Sequence, residues 1–119
     1  MARAFKVRSP ERDARTDAER FGSLARSISS TIEAVRAERN ALKERVDEAR
    51  DRAAFVAGTD TDEYLARDGR DAAHLRAYEH EMMAGDRRVK ELERQLEGLQ
   101  AVSEAYERCF ARFASDKPG

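Results

Sequence analysis

The feature that most constrains this chain is a row of apolar or small side chains spaced alternately three and four residues apart. In the first half of the chain the row runs through Ala18, Phe21, Ala25, Ile28, Ile32, Val35, Leu42, Val46, Ala49, Ala53 and Val56. Only Arg39 interrupts it. A mean spacing of about 3.5 residues keeps one helix face against a partner helix over many turns. The row therefore predicts a long coiled-coil helix over residues 17–56. Two helix starts are open: Ser9 as a cap with Pro10 at the first helical position, and a capping box over residues 16–19.

The same spacing resumes after a break. Gly58 and Gly69, with the cap-forming residues around them, are typical of helix ends and predict a turn region over residues 57–70. The second row runs through Leu75, Tyr78, Met82, Gly85, Val89, Leu92, Leu96, Leu99, Ser103, Tyr106, Phe110 and Phe113. It predicts a second helix over residues 71–114, followed by a disordered tail over residues 115–119.

The composition agrees with long helices around a thin core. The chain has 119 residues, of which 39% are charged and 7% aromatic, and it contains 6 glycines, 2 prolines and no tryptophan. Such a chain has room for one domain and little apolar material for a wide core. Its net charge of -1 argues against disorder of the whole chain. The fold class expected is therefore all-α.

Charges beside the two rows predict how the helices pair. Basic Arg36, Lys43 and Arg50 occupy heptad position e of the first helix, and acidic Glu79, Asp86, Glu93 and Glu107 occupy position e of the second. In an antiparallel pair position e faces position e, so basic side chains meet acidic ones along that flank. The chain is therefore predicted to fold as an antiparallel coiled-coil hairpin.

Two registers of the hairpin satisfy this charge pattern. The favoured register places large side chains on small ones, setting Val46 opposite Gly85 and Phe21 opposite Phe110. The alternative sets Arg39 opposite Gly85 and leaves Phe21 without an aromatic partner. We favour the first because packing outweighs exposed charge contacts, each of which contributes about 0–1 kcal/mol.

The favoured register carries one electrostatic cost. It brings Arg45 near Arg88 on the g flank, where two positive charges oppose each other. We expect this repulsion between exposed groups to be small beside the packing gained along the seam.

The sequence lacks the patterns of catalytic or cofactor-binding sites. His74 and His80 are six positions apart and lie on different helix faces, and no phosphate-binding loop, dinucleotide glycine pattern or nucleophile–base triad is found. Neither enzyme activity nor a metal or cofactor is expected. Cys109 is the single cysteine, which fits a reducing, cytoplasmic location. No apolar stretch approaches a membrane span, and no secretion signal is recognisable.

The open end of the predicted hairpin carries more apolar side chains than one partner helix can cover. At heptad position g, where charges are usual, it has Leu24, Val102 and Cys109. The candidate self-association surface comprises Phe21, Leu24, Val102, Tyr106, Cys109, Phe110 and Phe113. Burying it against a second hairpin would form a homodimeric four-helix bundle. Cys109 is expected to be buried or half-buried beside the seam.

Residues 1–16 form a basic N-terminal tail or helix lead-in, with five basic residues against two acidic ones. Its candidate partner-binding residues are Arg3, Phe5, Lys6, Val7 and Arg8. The leading functional hypothesis is a non-enzymatic coiled-coil adaptor or structural rod that binds itself and an unidentified protein. The alternative is a small nucleic-acid-associated protein using the tail. Nucleic acid is disfavoured because the helices carry no extended basic stripe.

Overall fold

The structure, a computed structural model, describes residues 9–58 and 69–115. It contains two long helices, α1 over Pro10–Gly58 and α2 over Gly69–Cys109, followed by a 3-10 helix over Ala111–Ala114. No strand occurs in the described ranges. The predicted all-α fold, a hairpin of two long helices, is therefore confirmed.

Helix α1 begins at the earlier of the two starts that the sequence offers, with Ser9 as the cap, and not at residue 17. The Ser9 hydroxyl accepts a hydrogen bond from the Arg12 amide at 3.1 Å, and the Ser9 carbonyl accepts one from the Asp13 amide, also at 3.1 Å. Pro10 occupies the first helical position, where its missing N–H is not needed. Glu11 places a negative charge near the positive end of the helix. Residues 10–16 of the predicted lead-in therefore belong to α1.

The other helix ends also differ slightly from their predicted positions. Helix α1 continues to Gly58, and α2 begins at Gly69 rather than at residue 71. Helix α2 ends at Cys109, after which Phe113 N–H donates to the Phe110 carbonyl at 2.9 Å. This tighter bonding is that of a 3-10 turn. Most of the predicted turn region, residues 59–68, and residues 116–119 of the predicted tail lie outside the described residues.

The contacts divide the chain into two compact units. Among the described residues, the terminal unit comprises 9–33 and 97–115, and the central unit comprises 34–58 and 69–96. In the central unit the buried apolar side chains all come from the predicted rows: Val46, Ala49, Ala53, Val89 and Leu92. The 3.5-residue period thus marks the seam there correctly.

Gly85 fixes the register of the central unit. It is buried, and a β-carbon added to it would overlap Cγ2 of Val46. Glycine is required at this position because the two helices approach each other closely over it. The favoured register, with Val46 opposite Gly85, is therefore the one observed.

Charged side chains on both flanks of the central unit pair across the helices. On the e flank, Lys43 Nζ lies 3.9 Å from Glu93 Oε2. On the g flank, Arg88 donates two hydrogen bonds to Glu38, at 2.9 and 3.3 Å, and one to Glu91 at 3.0 Å. These bonds, led by the one to Glu38, hold the pKa of the Arg88 guanidinium above its ordinary value. The sequence predicted repulsion between Arg88 and Arg45 on this flank. In the structure Arg88 instead forms ion pairs with Glu38 and Glu91.

Arg39, the charged residue within the first row, is half-buried. Its guanidinium donates to Oδ1 of the neighbouring Asn40 at 3.1 and 3.2 Å. A long side chain can place its methylenes along the seam and its charge in a polar environment, so a charged residue is compatible with this position.

In the terminal unit, aromatic rings hold α1 against the end of α2. The rings of Phe21 and Phe110 are stacked, with centroids 4.8 Å apart and planes 8° apart. Phe113 packs on the same Phe21 ring with a centroid separation of 5.5 Å. The predicted pairing of Phe21 with Phe110 is therefore confirmed within this unit.

Candidate association surface

The g flank of the terminal unit exposes two aliphatic side chains. Leu24 is 40% exposed and Val102 is 48% exposed. They lie two heptads from Glu38 and Arg88, which occupy the same heptad positions in the central unit and form its hydrogen-bonded ion pair. The terminal unit therefore has apolar side chains at the positions where the central unit has a solvated ion pair.

The exposed surface continues towards the end of α2. Phe110 is 37% exposed, and Cys109, the last residue of α2, is an exposed free thiol. The expectation that Cys109 is buried or half-buried was wrong, because its position beside the seam is not covered by the other helix. We define the association surface as Leu24, Val102, Cys109 and Phe110. Their exposed apolar area would gain from removal from water, at about 25 cal/mol per Å² buried.

Tyr106 supports this surface from beneath and does not form part of it. It is buried, at 8% exposure, and its hydroxyl donates a hydrogen bond to the Phe21 carbonyl at 2.9 Å. Its ring also lies 6.3 Å from that of Phe110. Its own chain therefore already covers the Tyr106 ring, and a role of Tyr106 in self-association stays a prediction.

Phe21 and Phe113 are likewise committed mainly to contacts within the chain. Both are half-buried, and they pack on each other. The Arg112 guanidinium lies 4.6 Å from the centroid of the Phe113 ring, in a cation–π contact. Phe21 also stacks on the ring of Phe110, so a packed aromatic cluster holds that ring from one side.

The terminal unit buries its seam less completely than the central unit does. Among its described residues, Tyr106 is the one apolar side chain classed as buried, whereas Ile28, Ile32 and Leu99 are half-buried. Apolar area therefore remains accessible in the seam as well as on the flank of this unit. A partner placed against the flank would cover part of both.

Two further exposed side chains lie in the central unit and were missed by the sequence analysis. Phe55 is 73% exposed and Met83 is 63% exposed. Neither belongs to the seam rows, so a search for the 3.5-residue period passes over them. The signal that could have found them is a large apolar side chain at an outward heptad position.

The described residues contain no group of three or more histidine, cysteine or acidic side chains placed to hold a metal ion. His74 and His80 are both exposed. The candidate partner-binding residues of the tail, Arg3, Phe5, Lys6, Val7 and Arg8, lie outside the described residues. Within residues 9–58 and 69–115, neither long helix has an apolar stretch sufficient to cross a membrane.

Comparisons with protein-family models, curated proteins and solved structures found no match to this chain.

Proposed function

We propose that this protein is a non-enzymatic coiled-coil adaptor or structural rod that self-associates through the association surface of its terminal unit. A second copy is the proposed occupant of the surface, and an unidentified protein is the proposed further partner. The single, unpaired cysteine supports a cytoplasmic location. The proposed assembly is a homodimer in which two hairpins form a four-helix bundle.

The observation that carries this proposal is the replacement of a flanking ion pair by two aliphatic side chains. Glu38 and Arg88 are suited to water, and the side chains of the pair remain 48% and 41% exposed. Leu24 and Val102 gain nothing from the same exposure, and each would gain about 1 kcal/mol or more on burial. A self-complementary apolar patch on one face is the usual basis of a two-fold interface.

The proposal is tested by placing charges on the surface. Substituting Leu24→Glu and Val102→Glu together puts four carboxylates into the interface of a dimer. Desolvating these charges opposes association, so we expect the dissociation constant to rise at least about a hundredfold. At tens of micromolar the variant should have the monomer mass of 13.5 kDa in light scattering.

A matched control adds the same charge elsewhere in the terminal unit. Ser30 and Ala101 are exposed and occupy the outward heptad position f. Ser30→Glu with Ala101→Glu should leave the mass unchanged. If the control dissociates as readily as the test variant, net charge controls association and the proposed surface is not the interface.

A further inference from the structure

A groove on the g flank of the central unit lies between α1 and α2 at the level of Gly85. It encloses about 220 Å³ and has an apolar floor that includes Leu42, Val46 and Gly85. Ala84 and three charged residues, Arg45, Glu81 and Arg88, complete its lining. The volume equals that of roughly seven liquid-water molecules, which is enough for one large side chain.

A side chain of suitable chemistry lies on the same flank of the same unit. Phe55, 73% exposed, occupies heptad position c, which adjoins position g on the helix surface. It follows Arg45 by ten residues, or about 15 Å along α1 at 1.5 Å per residue. A ring so exposed on the face that carries the groove is a candidate occupant for the groove of another copy.

We propose that the central units of two copies associate across a two-fold axis near residue 50 of α1. The two α1 helices run antiparallel across this axis, and each Phe55 enters the groove of the other copy beside Arg45. The interface is distinct from the association surface of the terminal unit and does not depend on it. Because the arrangement is isologous, one contact pair is made twice.

The charges on this flank complement the same arrangement. A two-fold axis that brings Phe55 to Arg45 also brings Arg52 opposite Glu48 of the second copy, again twice. Within the chain the distance from Arg52 Nη2 to Glu48 Oε2 is 4.0 Å, a long separation for an ion pair. The two side chains are 58% and 63% exposed, so both are accessible to a second copy. Four alternating charges would then surround the axis.

Arg45 is available to the incoming ring. It has no ion-pair partner among the described residues, whereas Arg88 is engaged by Glu38 and Glu91. A guanidinium placed over an aromatic face adds a cation–π contact to apolar burial. Each copy contributes one aromatic ring, Phe55, and exposed charges to this interface, which is therefore small. We expect a dissociation constant on the order of hundreds of micromolar.

The test separates this interface from the terminal one. It uses the full chain with Leu24→Glu and Val102→Glu, studied by sedimentation equilibrium at several hundred micromolar. In this background Glu48→Arg and Arg52→Glu are made as two separate proteins. Each places like charges opposite each other at both contacts, and each should weaken association about tenfold. Circular dichroism verifies that both keep their helix content.

Mixing the two proteins is the decisive step. The Glu48→Arg protein has arginine at positions 48 and 52, and the Arg52→Glu protein has glutamate at both. In a mixed dimer each of the two contacts therefore pairs an arginine with a glutamate. The mixture should associate as strongly as the background protein. Phe55→Ser should weaken association in every combination. A background that stays monomeric, or a mixture that associates no better than its components, would overturn the inference. The proposed function is judged separately, by whether Leu24→Glu with Val102→Glu lowers the mass of the unmodified protein at tens of micromolar.

Discussion

Val46 lies so close to Gly85 that no β-carbon fits between them. Glycine inside a helix costs about 1 kcal/mol relative to alanine, because it has more backbone freedom to lose on folding. At this position the cost is offset by the close approach of α1 and α2 within the central unit. The contact also distinguishes the two registers, because the alternative would place Arg39 opposite the glycine.

Gly85→Ala should therefore destabilise the protein by about 1–3 kcal/mol, despite the higher helix propensity of alanine. Gly98→Ala is the control in the same helix, because a β-carbon added there meets nothing within 4 Å. The control should be more stable than the unmodified chain by about 0.5–1 kcal/mol. Urea denaturation at one fixed protein concentration measures both. Equal stability of the two variants would show that the helices do not approach at Gly85.

The register can be tested covalently with Val46→Cys and Gly85→Cys in a Cys109→Ser background. A β-carbon on Gly85 would lie 3.9 Å from Cβ of Val46, within the roughly 3.5–4.5 Å range of disulfides. Replacing Val46 also removes the methyl group that blocks the site. A bond within one chain should form on mild oxidation and be detected by peptide mass spectrometry.

The alternative register has its own pair, Arg39→Cys with Gly85→Cys. We expect this pair to remain reduced under the conditions that oxidise the first. Efficient bond formation between positions 39 and 85, with little between 46 and 85, would show that the alternative register predominates in solution.

Tyr106→Phe removes the hydrogen bond from the Tyr106 hydroxyl to the Phe21 carbonyl while keeping the ring in place. This bond is part-buried, and we expect its loss to lower the free energy of unfolding by about 1 kcal/mol. Tyr78→Phe is the control, since its half-buried ring makes no hydroxyl hydrogen bond among the described residues. It should change stability by less than about 0.5 kcal/mol. Thermal melts of the two variants should differ, and superimposable melts would contradict the assigned bond.

The helices and their register could be predicted from sequence because they depend on a repeated pattern. Many apolar positions agree on the 3.5-residue period, and the favoured register sets large side chains on small ones and pairs Phe21 with Phe110. The Ser9 cap was one of two starts that the sequence offered for α1, and the later start at residue 17 was preferred because the apolar row begins at Ala18. A helix end is decided by one or two local hydrogen bonds, which a period does not detect.

The site was less predictable than the fold. The partners of Arg88 depend on side-chain rotamers, and the sequence offers several acids within reach of one guanidinium. The burial of Tyr106 and the exposure of Cys109 depend on where α2 ends and the 3-10 turn begins. Tyr106 lies in the seam row and is covered by its own chain, whereas Cys109 lies on the flank and is exposed.

Self-association is the central claim, and the most direct test is the mass of the unmodified protein in solution. The mass is measured by sedimentation equilibrium at tens of micromolar protein. A reducing agent keeps the Cys109 thiol free, so that no disulfide-linked dimer contributes to the mass. The account predicts a mass at least twice 13.5 kDa, falling towards the monomer on dilution as a reversible assembly does. A constant mass of 13.5 kDa over the whole concentration range would contradict it.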